Sequence, residues 1–303
     1  MRRHIVVFGS LNMDFVARAP RMPLPGETVL GDGFQMFPGG KGANQANAAA
    51  RLAKSPGVVK LVGRVGYDAF ADHLRASLAA SGVDASHVHA TRAAPTGAAM
   101  IWIDPAGQNS ILVMPGANAQ VDAASVEALR PLFRTAYCVL FQLETPLPAV
   151  RRAMEIAREE GAVTILDPAP SQPLPPEVLA LADWLTPNET EAAALAGGET
   201  DPGETEQRLL AKGARRVVLK LGAEGCYSGG QHIPAFPVSV VDTTAAGDTF
   251  NGAIAVALTE GRTTADTLRF ANAAAALSAT KLGAQASAPT RAEVDAYCSF
   301  LLP

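Results

Sequence analysis

The residues best suited to chemistry lie in residues 242–252. We predict a strand over 238–241, then a turn of small residues, and a helix that begins near Gly247. Free N–H groups at such a helix start attract an anion, and a carboxylate there, on Asp248, can take the proton of an attacking hydroxyl. The anion hole would comprise Ala245, Ala246 and Gly247. Asp248 could instead serve only to stabilise the helix N-terminus, but the small residues before it leave room for a ligand and favour the functional interpretation.

A second segment, residues 38–47, places glycines at the start of an alanine-rich helix predicted over 41–54. Glycines let a ligand approach the backbone, and Lys41 adds a mobile positive charge. The amide of Asn44 offers both a donor and an acceptor, which suits sugar hydroxyls. A tight loop before a closely packed helix explains this pattern equally well when the segment is considered alone.

Two further turns follow predicted strands. In residues 186–191, Asn188 and Glu191 have the spacing of a capping box, and the same pair suits binding of Mg²⁺ through water. Residues 220–225 form a glycine-containing turn that a nucleotide could pack against, although this pattern alone is weak evidence for nucleotide binding.

Polar side chains recur where predicted strands end. Asn12 and Asp14 directly follow the first strand, and in an open α/β sheet ligands bind beyond the carboxyl ends of the strands. The residues expected to share this edge are Asp14, Asn44, Asn188, Lys220 and Asp248.

The elements that must position these residues alternate between strand and helix, which predicts a mostly parallel sheet covered on both faces. Strands are expected at 5–9, 58–62, 139–143, 163–166, 184–185, 217–221 and 226–228, with helices between or after them. Residues 15–38 and 94–115 are less helical and are expected to form a small β-sheet lid, with short strands over 28–34 and a turn over 104–107. We therefore predict one domain over 1–303, a three-layer α/β sandwich with a small β lid.

Composition narrows the function classes. The chain has 303 residues, a formal net charge of −4, 48% hydrophobic residues and three separated cysteines. An acidic chain is unsuited to nonspecific binding of nucleic acid or anionic membranes, and the cysteines fit a reducing cytoplasm. The common P-loop and dinucleotide-binding motifs are absent from the sequence, so any nucleotide must use a different phosphate cradle.

With these residues in view, the chain closely resembles the PfkB carbohydrate-kinase family from residue 6 to residue 289. Residues 39–47 and 242–252 match both family signatures, and residues 9–14, 23–28, 142–144 and 186–191 look specifically like the members that phosphorylate ribose. The resemblance implies transfer of the γ-phosphoryl group of ATP to the primary (O5) hydroxyl of D-ribose. It also implies a lid that closes over the sugar and often doubles as a homodimer interface.

The resemblance also implies residue roles. Around the sugar would lie Asn12, Asp14, Gly40, Lys41, Asn44 and Glu144, with Asp248 as the base. Around ATP would lie Asn188, Glu191, Lys220, Gly222, Gly225, Gly247 and Asn272, the last near the adenine. Glu191 would help to hold Mg²⁺ through water, and an activating K⁺ would be bound, mainly by backbone oxygens, at Asp242, Thr244, Ser278, Lys281, Gly283 and Ser287.

Two positions depart from the pattern of the resemblance. Lys220 stands where some members have Thr, and Asp167 stands where Asn is familiar. We expect them to affect nucleotide preference and not to touch the phosphoryl-transfer chemistry. Three alternatives remain open: a related kinase for fructose, 2-keto-3-deoxygluconate, deoxyribose or a nucleoside; a non-catalytic sugar-binding regulator; and a purely structural protein.

Overall fold

A computed structural model describes residues 4–105 and 109–301. Its centre is a parallel six-stranded sheet in the order β10-β9-β8-β1-β4-β5. The strands are β1 (His4–Phe8), β4 (Val59–Gly66), β5 (Asp84–Thr91), β8 (Ala136–Phe141), β9 (Val163–Leu166) and β10 (Trp184–Leu185). Both faces of β1 are buried, which explains why it appears in the sequence as a continuous apolar run.

Helices cover both faces of this sheet and enclose two hydrophobic cores. The first face carries α1 (Lys41–Leu52), α2 (Ala69–Ala80), α9 (Ala246–Thr259), α10 (Thr264–Ser278) and α12 (Arg291–Leu301). The second face carries α3 (Ala123–Val126), α4 (Arg130–Thr135), α5 (Leu147–Glu159), α6 (Pro176–Leu179), α7 (Glu189–Ala196) and α8 (Pro202–Ala211). The short helix α11 (Ala284–Ser287) lies against α1. The predicted α/β class with a largely parallel central sheet is confirmed.

A separate four-stranded sheet, called here the lid sheet, has the order β3-β2-β6-β7. Its strands are β2 (Asn12–Arg18), β3 (Gly33–Gly39), β6 (Gly97–Ile103) and β7 (Asn109–Met114). The strands predicted over 28–34 are wrong, because β3 begins only at Gly33 and residues 28–32 form no strand. Of the turn predicted over 104–107, Ala106 and Gly107 lie outside the described residues.

A third, antiparallel sheet follows, made of β11 (Leu219–Lys220), β12 (Gly225–Ser228) and β13 (Gln231–Pro234). Two isolated backbone bridges join it to the β10 edge of the central sheet, so the carboxyl end of β11 lies beside Asn188. The strand predicted over 238–241 is wrong. Val240 and Val241 are more than half exposed, and Val241 donates its N–H to the carbonyl of Ala279 instead of joining a sheet. No helix in the described residues is long and apolar enough to cross a membrane.

Candidate active site

The position of Asp248 depends on close packing between α9 and α1. A Cβ atom added at Gly252 would lie 2.9 Å from the backbone nitrogen of Ala49 and 3.0 Å from the carbonyl oxygen of Gln45. Only a glycine lets the two helices approach this closely. One turn before Gly252, Asp248 is therefore brought against the first turn of α1.

The carboxylate of Asp248 is held from two sides. The side-chain amide of Asn44 donates to its Oδ2 at 3.1 Å, and the amide of Gln45 donates to its Oδ1 at 3.1 Å. Burial raises the pKa of Asp248, the Lys41 ammonium opposes that shift, and the nearby Asp167 adds to it. Burial raises the pKa of such a carboxylate, and a nearby cation limits the rise. The carboxylate is then suited to accept a proton near neutral pH.

The start of α9 has the geometry expected of an anion hole. Ala245 is the N-cap residue and has a left-handed backbone (φ 59°, ψ 14°), unlike every other non-glycine residue in the described part of the chain. This strained conformation turns the backbone sharply into the helix. Ala246, Gly247 and Asp248 then occupy the first turn, where N–H groups lack an acceptor within the helix. The Ala246 N–H donates instead to the Thr243 carbonyl at 3.1 Å, so Gly247 and Asp248 offer the first turn's available N–H groups. The predicted helix start near Gly247 is thus confirmed.

Glycines also bring the first turn of α1 against the end of β1. A Cβ on Gly42 would lie 2.6 Å from the backbone carbon of Gly9, and Gly40 has φ 89°. The N–H of Lys41 donates to Glu144 Oε2 at 3.1 Å, and the hydroxyl of Ser10 donates to the same oxygen. Glu144 is thereby fixed between the ends of β1 and β8.

Lys41 is surrounded by carboxylates. Burial by itself would lower the pKa of Lys41, but Asp248, Asp167, Glu144 and Glu191 outweigh it and raise the pKa. The ammonium therefore stays charged in a site that is otherwise rich in negative charge.

Asn12 and Asp14 lie on β2 at the base of the lid sheet. The amide of Asn118 donates to Asn12 Oδ1 at 2.8 Å and to the Leu11 carbonyl at 3.0 Å, which fixes the Asn12 side chain. Asp14 lies so close to Gly39 that a Cβ there would clash with its carboxylate. Burial, then Glu144 and then Asp248, raise the pKa of Asp14 to about 7. Asp14 lines a cavity of about 420 Å³ between the lid sheet and the loops at 241–244 and 282–284.

The turn after β10 contains the predicted capping box. Asn188 Oδ1 accepts from the N–H of Glu191 at 2.8 Å, and Glu191 Oε2 accepts from the N–H of Asn188 at 2.8 Å. Burial raises the pKa of Glu191, while the Lys220 ammonium opposes that shift. No group of three or more His, Cys, Asp or Glu side chains within residues 4–105 and 109–301 could hold a metal ion.

Asp167 and Lys220, which we expected not to touch the chemistry, lie beside the residues that hold Asp248. Lys220 Nζ lies 2.8 Å from Asp167 Oδ1, and the amide of Gln45 donates to Asp167 Oδ2 at 2.9 Å as well as to Asp248. Asp167 follows β9 and Lys220 ends β11, on either side of β10, so the ends of two strands bring both side chains together beside Gln45.

The residues implied for K⁺ are only partly brought together. Asp242 accepts from the N–H of Thr244 at 2.9 Å and from the N–H of Gly283 at 2.9 Å, so its carboxylate joins the two loops. Burial would raise the pKa of Asp242, but these hydrogen bonds outweigh it and lower the pKa. The Lys281 ammonium donates to Glu293 at 2.7 Å, so only the backbone of Lys281 remains as a candidate to bind K⁺. Ser278 and Ser287 each donate their hydroxyls to a carbonyl one turn earlier.

Asn272 and the 220–225 turn lie in the third-sheet region. The amide of Asn272 donates to the carbonyls of Ile233 and Pro234 at 3.0 and 3.1 Å, so it holds the end of β13. Gly222 and Gly225 both have positive φ, 54° and 102°, which a turn at the end of β11 requires. Their contacts with a nucleotide stay a prediction.

Sequence reasoning missed Gln45, Gln142 and Asn118 as parts of the site. Gln142 donates to Gln45 Oε1 at 2.6 Å, so the two glutamines form a buried chain that ends on Asp248. Gln45 lies in the segment 38–47 and Gln142 in the segment 142–144, both singled out in the sequence, so their places beside Asn44 and Glu144 were the available signal. Asn118 lies in a short 3₁₀ turn (Gly116–Gln120) without such a signal.

Comparison with known proteins agrees with this geometry. The sequence profile of the pfkB family of carbohydrate kinases matches residues 2–291. This chain belongs to that family. It is 42% identical over 302 residues to a ribokinase of Bacillus subtilis, covering 98% of this chain and 100% of that protein. It is 40% identical over 301 residues to a ribokinase of Haemophilus influenzae, covering 97% of each.

Solved structures of family members have the same fold. The ribokinase of Thermotoga maritima superposes with a TM-score of 0.89 at 37% identity, covering 98% of this chain and 99% of that one. An Arabidopsis thaliana ribokinase, complexed with ribose and ATP, superposes with a TM-score of 0.88 at 35% identity, covering 98% of each chain.

Proposed function

We propose that this protein transfers the γ-phosphoryl group of ATP to the O5 hydroxyl of D-ribose and forms ribose 5-phosphate. The observation that carries the proposal is the buried Asp248 carboxylate at the start of α9, held by Asn44 and Gln45 beside a helix N-terminus. A base next to an anion hole is the arrangement that phosphoryl transfer to a hydroxyl needs. Ribokinases that cover nearly the whole chain support ribose as the acceptor.

Asp248 is the base in this mechanism. Its carboxylate accepts the proton of the O5 hydroxyl while the backbone N–H groups at the start of α9, at Ala245, Ala246 and Gly247, hold the transferring group. Of these, the Ala246 N–H must leave the Thr243 carbonyl, to which it donates at 3.1 Å. Lys41, which stays protonated, neutralises negative charge that spreads over the phosphoryl oxygens. Buried surroundings strengthen these electrostatic interactions, because little water screens them.

Sugar recognition falls to residues on the other side of the base. Asn12 has its amide oxygen committed to Asn118, so its N–H groups are available to a sugar hydroxyl. Asp14, Glu144 and Asn44 supply acceptors and donors for the remaining hydroxyls, and Gly40 leaves room for the sugar ring. Asp14 also lines the cavity of about 420 Å³ under the lid sheet, which leaves space for a ligand on the lid side of this carboxylate.

ATP is proposed to lie along the ends of β10 and β11. Asn188, Glu191, Lys220 and the glycines Gly222 and Gly225 border its phosphates, with Asn272 behind the adenine. Mg²⁺, when bound, neutralises phosphate charge, and Glu191 suits it through water because oxygen ligands and retained waters are what Mg²⁺ prefers. K⁺, when bound, would stabilise the loops that Asp242 already joins, with Thr244, Ser278, Lys281, Gly283 and Ser287 as the remaining candidates.

We also propose a homodimer formed through the lid sheet. By strand register, Met36, Met100 and Leu112 share the face opposite Asp14, and they are 52%, 51% and 64% exposed. Phe34 extends this apolar face, and a second copy covering it would remove it from water. Sedimentation of wild type against Met100→Lys tests this point, since a mutant that stays dimeric would exclude the face. The separated cysteines favour a cytoplasmic location.

The experiment that tests the function is ADP release from ATP, Mg²⁺ and K⁺ across a panel of sugars. Ribose is compared with deoxyribose, fructose, 2-keto-3-deoxygluconate and adenosine, and the phosphorylated position is read by ³¹P–¹H NMR. Ribose turning over best, at O5, supports the proposal. Another acceptor turning over better would leave Asp248 as the base but overturn the roles of Asn12, Asp14 and Glu144. No turnover with any acceptor would favour the sugar-binding regulator.

A further inference from the structure

A buried ion pair lies immediately behind the proposed base. Lys220 Nζ and Asp167 Oδ1 are 2.8 Å apart, and the two side chains are only 13% and 3% exposed. Removing both charges from water is costly, and such a pair is weak evidence of a role in stability. Its position beside the active site therefore calls for a functional explanation.

Gln45 connects this pair to the base. Its single amide nitrogen donates to Asp167 Oδ2 at 2.9 Å and to Asp248 Oδ1 at 3.1 Å, and Gln142 fixes the amide by donating to Oε1. The nitrogen carries only two hydrogens, so both are committed to carboxylates. Two acceptor oxygens that share one donor lie at most about 6 Å apart, a distance at which charges in a protein interact appreciably.

Lys220 also reaches the anion hole. Its Nζ lies 3.4 Å from the place where a Cβ on Gly247 would sit, in the first turn of α9. Asp167 offsets the charge of this ammonium, so the positive end of α9 beside the pair still favours an anion. An ammonium has three donors, of which Asp167 takes one, so two remain for such an anion.

We propose that Asp167 is a positioning residue, which holds the Lys220 ammonium at the phosphates and couples it to Asp248 through Gln45. This inference deepens the proposed function, on which it rests. A neutral pair at these two positions would leave the base with the same net surrounding charge but would remove one phosphate ligand.

Several charged groups face Asp248, including one member of this pair. Lys41 approaches from α1, Asp14 from β2 and Asp167 from the end of β9. Glu144 and Glu191 lie further out, around Lys41. All of these stay unchanged in the test below except Asp167, so a change in the pH profile reports the pair.

Three variants separate the two parts of the inference: Lys220→Met, Asp167→Asn and the double variant. The readouts are the acid limb of kcat/KM for the sugar and the affinity for β,γ-imido-ATP with MgCl₂ by calorimetry. Lys220→Met leaves Asp167 unneutralised, so the acid limb moves to higher pH by on the order of one pH unit. Asp167→Asn removes a negative charge near the base, so the limb moves to lower pH.

The double variant restores the balance of charge, so its acid limb returns to within a few tenths of a pH unit of wild type. Its nucleotide affinity stays reduced about tenfold or more, as in Lys220→Met, because a charged hydrogen bond to phosphate is lost. Lys60→Met, which breaks the unrelated pair with Asp84 at 2.9 Å, is the matched control and changes neither readout.

Two results would overturn the inference. If Lys220→Met binds the nucleotide analogue as tightly as wild type, Lys220 is not a phosphate ligand. If the two single variants leave the acid limb in place or move it in the same direction, the pair is not coupled to the base. Should the wild-type protein phosphorylate no sugar, the proposed function fails, while calorimetry still decides whether Lys220 binds phosphate.

Discussion

Gly252→Ala tests whether close packing of α9 on α1 positions the base. The added Cβ would lie 2.9 Å from Ala49 N, 3.0 Å from Ala48 Cβ and 3.0 Å from Gln45 O. Because ordinary contacts between such atoms are about 3.5–4.0 Å, the helices must separate by roughly 0.5 Å or more. The same shift stretches the 3.1 Å hydrogen bonds from Asn44 and Gln45 to Asp248 beyond good geometry.

The expected effect is larger on catalysis than on stability. Overpacking costs about 1–3 kcal/mol, of which about 1 kcal/mol is offset because alanine is the better helix former. Displacement of the base by a fraction of an ångström is expected to lower kcat about 10–100-fold. Denaturant unfolding gives the first quantity, and steady-state kinetics with ribose gives the second.

The matched control is Gly203→Ala in α8, where the new Cβ would meet only the hydroxyl tip of Tyr227 at 3.1 Å and the Asp201 carboxylate at 3.2 Å. This variant is expected to keep wild-type kcat and to be equally or slightly more stable. If Gly252→Ala kept its kcat as Gly203→Ala does, packing at Gly252 would not position Asp248, and the structural account of the base would be wrong.

Two further predictions concern the sugar side of the site. The pKa of Asp14 is about 7 in the folded protein and 3.8 as the ordinary value, so between these pH values the native protein holds a proton that the unfolded chain releases. The group therefore destabilises the fold increasingly as the pH rises from 3.8 to about 7. Asp14→Asn should therefore raise the free energy of unfolding by on the order of 2 kcal/mol at pH 8, and less at pH 5, as urea unfolding at both values measures; a larger gain at pH 5 would contradict the assignment. Asn118→Ala frees the side chain of Asn12, so KM for ribose should rise about tenfold with kcat changed less than threefold; an equal loss in kcat and an unchanged KM would show that Asn12 does not bind the ground-state sugar.

Much of the site could be predicted because its parts are local in sequence. The capping box at Asn188 and Glu191 needs only a spacing of three residues, and it forms as expected. The start of α9 near Gly247 follows from small residues before an apolar helix. Parallel strands that are buried on both faces appear in the sequence as short apolar runs, and the run over residues 163–166 predicted one of them.

What could not be predicted depends on contacts between distant segments. Gln45 meets Asp167 and Asp248 only because three separate elements converge, and no local pattern reports a buried amide shared by two carboxylates. The valine-rich segment 238–241 has high β-propensity but no neighbouring strand to pair with, so it stays a largely exposed loop. The two departures from the family pattern, Asp167 and Lys220, look independent in the sequence. Only the fold shows that these two residues form one ion pair.

The most direct measurement of the central claim is the turnover of Asp248→Asn with saturating ATP, Mg²⁺, K⁺ and ribose, alongside ribose binding by calorimetry. Asn44 Oδ1 has no hydrogen-bond partner in the described structure, so the amide of Asn44 can rotate to accept from the side-chain amide introduced at position 248 and keep the pocket intact. The account predicts ribose affinity within about threefold of wild type and kcat lower by about 10²–10⁴-fold, the usual contribution of a general base. A kcat within about tenfold of wild type, or ~1.4 kcal/mol of barrier, would show that Asp248 is not the base.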